Sequence, residues 1–327
     1  MNVNTLELKS RILGAVYGAV LGDVIGVPFE FLPPEKIRIP TPLKELPGGG
    51  PHGQEPGVWS DDSSLLLATA DALAKQGLSL EAAAEAFLKW YTRGEYTSKG
   101  IVFDIGFTTQ TALQRLLRGA RPEMAGVERP SCGSLMRILP VSLYTACDPL
   151  EEAVEWAHRY SRITHSHPEA EMACGLYTAI IHLLLRGESK QRAIRGAGRL
   201  LDSYYARLDR YKSRVGVFQY LKRPDSLVGR EYWFNHEWEA CYAPKTLEAS
   251  VWAFLNGGDV LETIILAITR GYDTDTVATV AGGLAGAYYG LNRIPHRLLQ
   301  QVKGYTLLTR TAQELAEAVL NRCGDAI

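Results

Sequence analysis

Residues 12–31, ILGAVYGAVLGDVIGVPFEF, decide the fold. Glycine recurs at every fourth position of this apolar segment: Gly14, Gly18, Gly22 and Gly26. Residues four apart share one face of an α-helix, so the pattern predicts a helix with a flat stripe onto which a second backbone can pack closely. Pro28 is expected to end the helix, because proline lacks the N–H that would continue it.

The same segment is long enough to span a membrane. Asp23 and Glu30 lie within it, however, and a carboxylate is costly to bury in lipid. No small-residue cleavage site of a secretory signal follows. We therefore expect a buried core helix in a soluble, cytoplasmic protein with no membrane partner.

Charge and cysteine usage exclude several classes of protein. Among 327 residues, 35 Lys and Arg nearly balance 36 Asp and Glu, so no basic surface for nucleic acid is expected. The cysteines are odd in number and include no CxxC pair, which predicts neither a disulfide framework nor a zinc cage. They are Cys132, Cys147, Cys174, Cys241 and Cys323.

Helical periodicity runs through most of the chain and predicts an all-α fold of a dozen or more helices in one domain, residues 1–327. The clearest helices are expected over Leu80–Trp90, Glu151–Tyr160, Pro168–Leu185, Lys190–Tyr204 and Thr311–Leu320, with starts near Ser79 and Pro149. Pro47–Gly57 (PGGGPHGQEPG) must be a loop. Residues 204–242 hold ten aromatic residues and predict either an insertion packed over the helices or a stacking wall.

Two acidic motifs precede strongly apolar runs. The first is Ser60-Asp61-Asp62, and the second is Asp273-Thr274-Asp275-Thr276. Each is expected in the first turn of a buried helix, where one such side chain would suffice as a cap. Two acids at both places exceed that need, so from the residues alone a shared metal site and simple capping both remain open. Carboxylates and hydroxyls without thiolates suit Mg²⁺ or Mn²⁺, and four aspartates could hold two ions.

These motifs, with others, resemble the ADP-ribosylglycohydrolase family. The matching segments are GAVYGAVLGDVIGVPFEF, WSDDSSL, DIGFTTQTAL, SCGSLMRILPV, THSHPEA, YAPKTLEASVWAF and GYDTDTVATVAGGLAGAYYG, in this order. The resemblance implies a multi-helix bundle with a binuclear Mg²⁺ centre in its cleft. The metal ligands that it implies are Ser60, Asp61, Asp62, Asp273, Asp275 and Thr276, with Ser60 in place of the usual threonine.

The resemblance also implies roles for residues around the metals. Glu30 and Asp104 are the candidate general bases, and spacing does not choose between them. Ser131, Cys132, Gly133 and Ser134 form a small-residue turn expected to enter a helix and to bind pyrophosphate through free amides. His165 matches the family histidine, whereas His167 is interpreted as structural. Tyr242 is expected to stack on adenine.

Together these features predict a hydrolase that cleaves ADP-ribose from a modified protein or small molecule at the anomeric carbon of the distal ribose. The linkage is expected to be N-glycosidic, to arginine. Phe107 and Lys245 depart from residues common in the family, which leaves the natural target open. The alternatives are an O-linked ADP-ribose hydrolase, for serine or acyl linkages, and a non-catalytic binding or structural homologue.

Overall fold

A computed structural model describes residues 4–324, and these form fourteen α-helices joined by loops and 3₁₀ turns. The helices are α1 Thr5–Gly26, α2 Asp61–Gln76, α3 Leu80–Arg93, α4 Phe107–Leu117, α5 Pro122–Ala125, α6 Leu139–Tyr144, α7 Leu150–Arg162, α8 Pro168–Leu185, α9 Lys190–Ser203, α10 Ala243–Asn256, α11 Val260–Ile268, α12 Thr274–Tyr289, α13 His296–Leu299 and α14 Tyr305–Cys323. Within this range β-structure is limited to isolated bridges. The all-α prediction is confirmed.

The predicted helices agree with the structure to within a few residues, except the last. The Ser79 hydroxyl caps α3 by accepting a hydrogen bond from the Ala82 N–H at 3.1 Å. Pro149 directly precedes α7, and the His167 imidazole caps α8 by accepting from the Glu169 N–H. The last helix, α14, begins six residues earlier than expected, at Tyr305.

The glycine stripe of α1 packs directly on α12, and the two helices run antiparallel. A Cβ atom at Gly18 would lie 2.4 Å from the carbonyl oxygen of Gly282, and one at Gly22 would lie 2.2 Å from that of Ala278. At the end of the stripe, Gly26 faces the backbone of Asp275. This contact brings the C-terminus of α1 to the N-terminus of α12, where the second acidic motif lies.

The segment Thr5–Phe29 is long and apolar enough to cross a membrane, but 94% of its most apolar window is buried inside the protein. It therefore forms part of the core, as the sequence predicts. The α-helix ends at Gly26, and Pro28 lies in the following 3₁₀ turn, Val27–Phe29.

The structure contains one disulfide that the scattered cysteines do not predict, although a single bond is not a disulfide framework. Cys147, which follows α6, is bonded to Cys323 at the end of α14, with a Cα–Cα distance of 5.5 Å. Helix α14 packs against α6, and this tertiary contact joins cysteines 176 residues apart, which spacing in the sequence does not reveal.

The aromatic-rich segment, residues 204–242, folds into 3₁₀ turns that pack against α9 and α10. Tyr205, Tyr211 and Phe218 are buried there, which supports the packed insertion. Trp238 remains 61% exposed and lies beside Tyr242.

Candidate active site

The two acidic motifs begin two helices that meet in space. Asp61 and Asp62 open α2, and Ser60 caps it by accepting a hydrogen bond from the Asp62 N–H at 3.2 Å. Asp273 occupies the cap position of α12, but its side chain accepts no hydrogen bond from that helix. Both predicted first-turn positions are confirmed. The Thr276 hydroxyl donates to an oxygen of Asp62 at 3.4 Å and so links the motifs.

Asp23 holds the start of α2, where the first motif lies. It is fully buried in α1, and its carboxylate accepts hydrogen bonds from the backbone N–H groups of Ser60, at 3.0 Å, and Ser63, at 2.9 Å. The glycine stripe fixes α1 against α12, so Asp23 joins the start of α2 to the same helix pair. The sequence signal for this role was a carboxylate in an apolar segment, which requires buried partners.

A cleft of about 400 Å³ opens above these helix ends. It brings together most of the predicted site residues and adds four aromatic or sulfur-bearing neighbours, Phe31, Phe107, Met136 and Cys241. Its lining includes Glu30, Phe31, Asp61, Asp62, Asp104, Phe107, Thr108, Ser131, Cys132, Gly133, Met136, His165, Cys241, Asp273 and Thr276.

The acids at the base of this cleft are crowded and short of partners. Burial and the neighbouring carboxylates raise the pKa values of Asp61, Asp62 and Asp275 well above their ordinary range. Burial also raises the pKa of Asp273. One oxygen of Asp62 and one of Asp275 are buried without a hydrogen-bond partner. Buried, unsatisfied carboxylates of this kind fit a site for hard divalent cations.

Glu30, a predicted general base, lies close enough to the acid cluster to be a metal ligand as well. Its oxygens lie within 4.8 Å of ligand atoms of Asp273 and Asp275, so these three could share a metal ion. Burial, and then the neighbouring acids, raise the pKa of Glu30 far above its ordinary range. The Nε2 atom of His52 lies 2.5 Å from the Glu30 carboxylate, and His52 comes from the glycine-rich loop.

Asp104 lies beside the same acid cluster, next to His52. It lies 3.6 Å from His52 and forms, with His52 and Glu30, a second group of possible metal ligands. Its backbone is left-handed, with φ of 57°, which is uncommon for a residue with a side chain and recurs at functional sites. Both candidate bases therefore lie beside the acidic motifs, and their separate roles stay predictions.

Ser131, Cys132 and Gly133 line the cleft, whereas Ser134 is buried behind it, and the segment does not begin an α-helix. Cys132–Ser134 form a single 3₁₀ turn, and the next α-helix starts only at Leu139. The Cys132 N–H is not free either, since it donates to the carbonyl oxygen of Cys241 at 2.9 Å. The prediction of free amides at a helix start is thus wrong for Cys132, whose thiol instead donates to Asp273 at 3.2 Å.

The two remaining predicted residues lie on different walls. His165 is buried behind Gly133, and its Nε2 atom is 3.0 Å from the Ser131 hydroxyl. Tyr242 lies in an adjoining pocket of about 540 Å³ that shares Ser131 and Cys241 with the cleft. Its hydroxyl donates to Glu169 at 2.8 Å, which leaves the ring as the surface available for stacking.

Known proteins resemble this chain over nearly all of its length. The sequence profile of the ADP-ribosylglycohydrolase family matches residues 4–325. The chain belongs to the ADP-ribosylglycohydrolase family. A solved structure described as an ADP-ribosylglycohydrolase-related protein complex superposes with a TM-score of 0.77, at 31% identity over 96% of this chain and 99% of that chain.

Characterised relatives come from several branches of the ADP-ribosylglycohydrolase family. ADP-ribosylarginine hydrolase Tri1 of Serratia proteamaculans is 30% identical over 94% of this chain and 80% of its own. The ADP-ribosyl-[dinitrogen reductase] glycohydrolase of Rhodospirillum rubrum is 26% identical over 90% of this chain and 91% of its own. Human ADP-ribosylhydrolase ARH3 is 25% identical over 94% and 93%.

Proposed function

We propose that the protein is a metal-dependent hydrolase that removes ADP-ribose from modified arginine side chains. The observation that carries the proposal is the convergence of both acidic motifs, Glu30 and Asp104 on one cleft. The relatives named for ADP-ribosylarginine support the arginine linkage.

The acids that line the cleft are also suited to a cationic leaving group. Glu30 and Asp104 offer carboxylates near the aromatic ring of Phe31, and a guanidinium group pairs well with both kinds of surface. A neutral serine linkage would gain less from this environment.

The two acidic motifs, with Ser60 and Thr276, fit two Mg²⁺ or Mn²⁺ ions through hard oxygen ligands. When bound, such ions lower the pKa of water and polarise the sugar as positive charge develops at the anomeric carbon. Glu30 or Asp104 accepts the proton of the attacking water. Ser131, Gly133 and His165 hold the pyrophosphate, and Tyr242 stacks on adenine.

The test compares two peptides, one ADP-ribosylated on arginine and one on serine, incubated with the protein and Mg²⁺. Release of ADP-ribose, measured by chromatography, is expected from the arginine peptide and should disappear on chelation. Release from the serine peptide alone would assign an O-linked hydrolase. Binding of ADP-ribose without any release would assign a non-catalytic homologue.

A further inference from the structure

Arg137 is a fully buried cation beside the cleft wall. Among residues 4–324, no carboxylate lies within ion-pair distance of its guanidinium, which instead stacks 4.5 Å from the centroid of the Phe87 ring. Two of its nitrogens, Nε and Nη1, are buried without a hydrogen-bond partner. Burial of an unpaired cation is costly, so the contacts of the third nitrogen require an explanation.

That nitrogen, Nη2, begins a chain of hydrogen bonds into the cleft. It donates to the Thr164 hydroxyl at 2.7 Å, and this hydroxyl lies 2.8 Å from Nδ1 of His165. On the other side of the ring, Nε2 lies 3.0 Å from the Ser131 hydroxyl. Ser131 in turn donates to the Thr108 hydroxyl at 3.2 Å. His165, Ser131 and Thr108 all line the cleft.

The first hydrogen bonds of this chain, from Arg137 through Thr164 to His165, have a fixed donor and acceptor at each step. Arginine has only donors, so the Thr164 oxygen must accept from Arg137. Thr164 is fully buried, and its own proton has one remaining partner, the Nδ1 atom of His165. If Nδ1 carried a proton, the threonine proton would be buried without an acceptor, at an appreciable cost in free energy.

We propose that Arg137, acting through the Thr164 hydroxyl, fixes His165 as the tautomer protonated on Nε2, so that the ring presents a hydrogen-bond donor to the cleft. Arg137 and Thr164 are positioning residues and do not touch the substrate. In the structure this donor bonds to the Ser131 hydroxyl at the cleft wall. Its use in binding rests on the proposed function, in which the pyrophosphate of ADP-ribose replaces Ser131 as the acceptor.

Protonation of both ring nitrogens of His165 cannot supply the donor instead. Burial, together with Arg137, lowers the pKa of His165 to about 3, so the ring is neutral at physiological pH. A neutral imidazole donates through one nitrogen only, which makes the choice of tautomer decide whether the cleft receives a donor or an acceptor.

Nitrogen NMR of the full chain, labelled at histidine, measures the tautomer without any ligand. His165 is assigned from the signals that disappear in His165→Gln. The wild type is expected to show a protonated Nε2 and a bare Nδ1. Thr164→Val keeps the shape but removes the hydroxyl, and should weaken the preference for Nε2 roughly tenfold. Thr164→Ser, the matched control, should retain it.

Two results would overturn the inference: a wild-type ring protonated on Nδ1, or a Thr164→Val ring with unchanged tautomer preference. Circular dichroism checks that the variants fold. The NMR spectrum of the wild type tests the tautomer of His165 even if a variant fails to fold.

Calorimetry with ADP-ribose tests the use of the donor. Thr164→Val should bind about tenfold more weakly, the effect of one hydrogen bond to a charged group, and Thr164→Ser should bind nearly normally. Normal binding by Thr164→Val despite a shifted tautomer would overturn the assigned use. Failure of the wild type to bind ADP-ribose would count against the proposed function, whereas the tautomer measurement would stand.

Discussion

The backbone N–H of Phe31 donates a hydrogen bond of 2.7 Å to the carbonyl oxygen of Tyr272, and the Tyr272 N–H donates to Leu32 at 2.8 Å. Phe31 directly follows Glu30, and Tyr272 directly precedes Asp273. Both have left-handed backbones, with φ of 60° and 64°. This pair of hydrogen bonds therefore holds the candidate base against the second acidic motif, although the two come from opposite ends of the chain.

The packing of α1 on α12 should determine stability as well as the site. In Gly22→Ala, the new Cβ would meet the Ala278 carbonyl group at 2.2 Å, and neither backbone can move away without separating the helices. We expect a loss of about 3 kcal/mol in the free energy of unfolding by urea, the upper end of overpacking costs.

The matched control for this substitution is Gly216→Ala. Gly216 is exposed and has no atom within 4 Å of the position that its Cβ would take. Its stability should stay within about 1 kcal/mol of the wild type. Equal stability of the two variants would contradict close packing at the glycine stripe.

The sequence predicts this part of the fold because the signal is local. Glycines four residues apart must share a helix face, and Pro28 stops the helix where the chain turns toward the cleft. The start of α12 is similarly local, since its acids precede an apolar run. The partner of the stripe is not local, and periodicity alone did not pair α1 with α12.

Asp275 should be essential for metal binding but not for folding. One of its oxygens is buried without a partner, beside other acids that repel it. Asp275→Asn removes a ligand charge and this repulsion together. Calorimetry with Mn²⁺ should therefore show a large loss of affinity, and ADP-ribose release should cease, while metal-free stability is retained or increased.

Asp71→Asn is the control for Asp275→Asn. Asp71 is also a buried aspartate, but it accepts hydrogen bonds from Lys75 and Tyr96, away from the cleft. This variant should lose stability and keep its metal affinity. Normal turnover by Asp275→Asn would remove Asp275 from the metal site.

Metal-free stability should fall as pH rises above about 7. Burial and the neighbouring acids raise the pKa of Glu30 to about 12 and those of Asp61, Asp62 and Asp275 well above their ordinary range, so above pH 7 the native state holds protons that the unfolded state has lost. Each such proton lowers the free energy of unfolding by about 1.4 kcal/mol per pH unit up to the native pKa. Urea unfolding with a chelator at pH 7 and 8.5 measures this slope.

Buried histidines restrict the pH window of that experiment. Burial lowers the pKa values of His165 and His182 to about 3, so below about pH 6.5 they give a slope of opposite sign. Above pH 7 both are neutral in either state. Saturating Mg²⁺ should remove the decline by pairing the carboxylates. A metal-free protein that is equally stable at both pH values would contradict the crowded acid cluster.

Several site residues could not be predicted because their signals are tertiary. His52 lies in a loop whose composition indicates only irregular structure, and it reaches Glu30 through loop placement. Arg137 belongs to a motif that resembles the family, but its burial beside Thr164 depends on how α7 packs near α3. The disulfide likewise depends on the docking of α14. By contrast, the acidic motifs were readable from residue type and position alone.

Glu30 should act on the reaction more than on metal binding. Glu30→Gln keeps the shape and one acceptor beside His52 but loses the charge that accepts a proton. Turnover of ADP-ribosylarginine peptide should fall by roughly 10²–10⁴, the range for general acid–base groups, while Mn²⁺ affinity changes little. Because Glu30 lies within 4.8 Å of acids in the second motif, a large loss of affinity would instead make it a ligand.

Asp104→Asn, measured in parallel, assigns the base to whichever variant loses more turnover at unchanged metal affinity. Glu35→Gln, in an exposed turn five residues beyond Glu30, is the control and should leave both quantities unchanged. Near-normal turnover in both Glu30→Gln and Asp104→Asn would exclude a carboxylate base from either position.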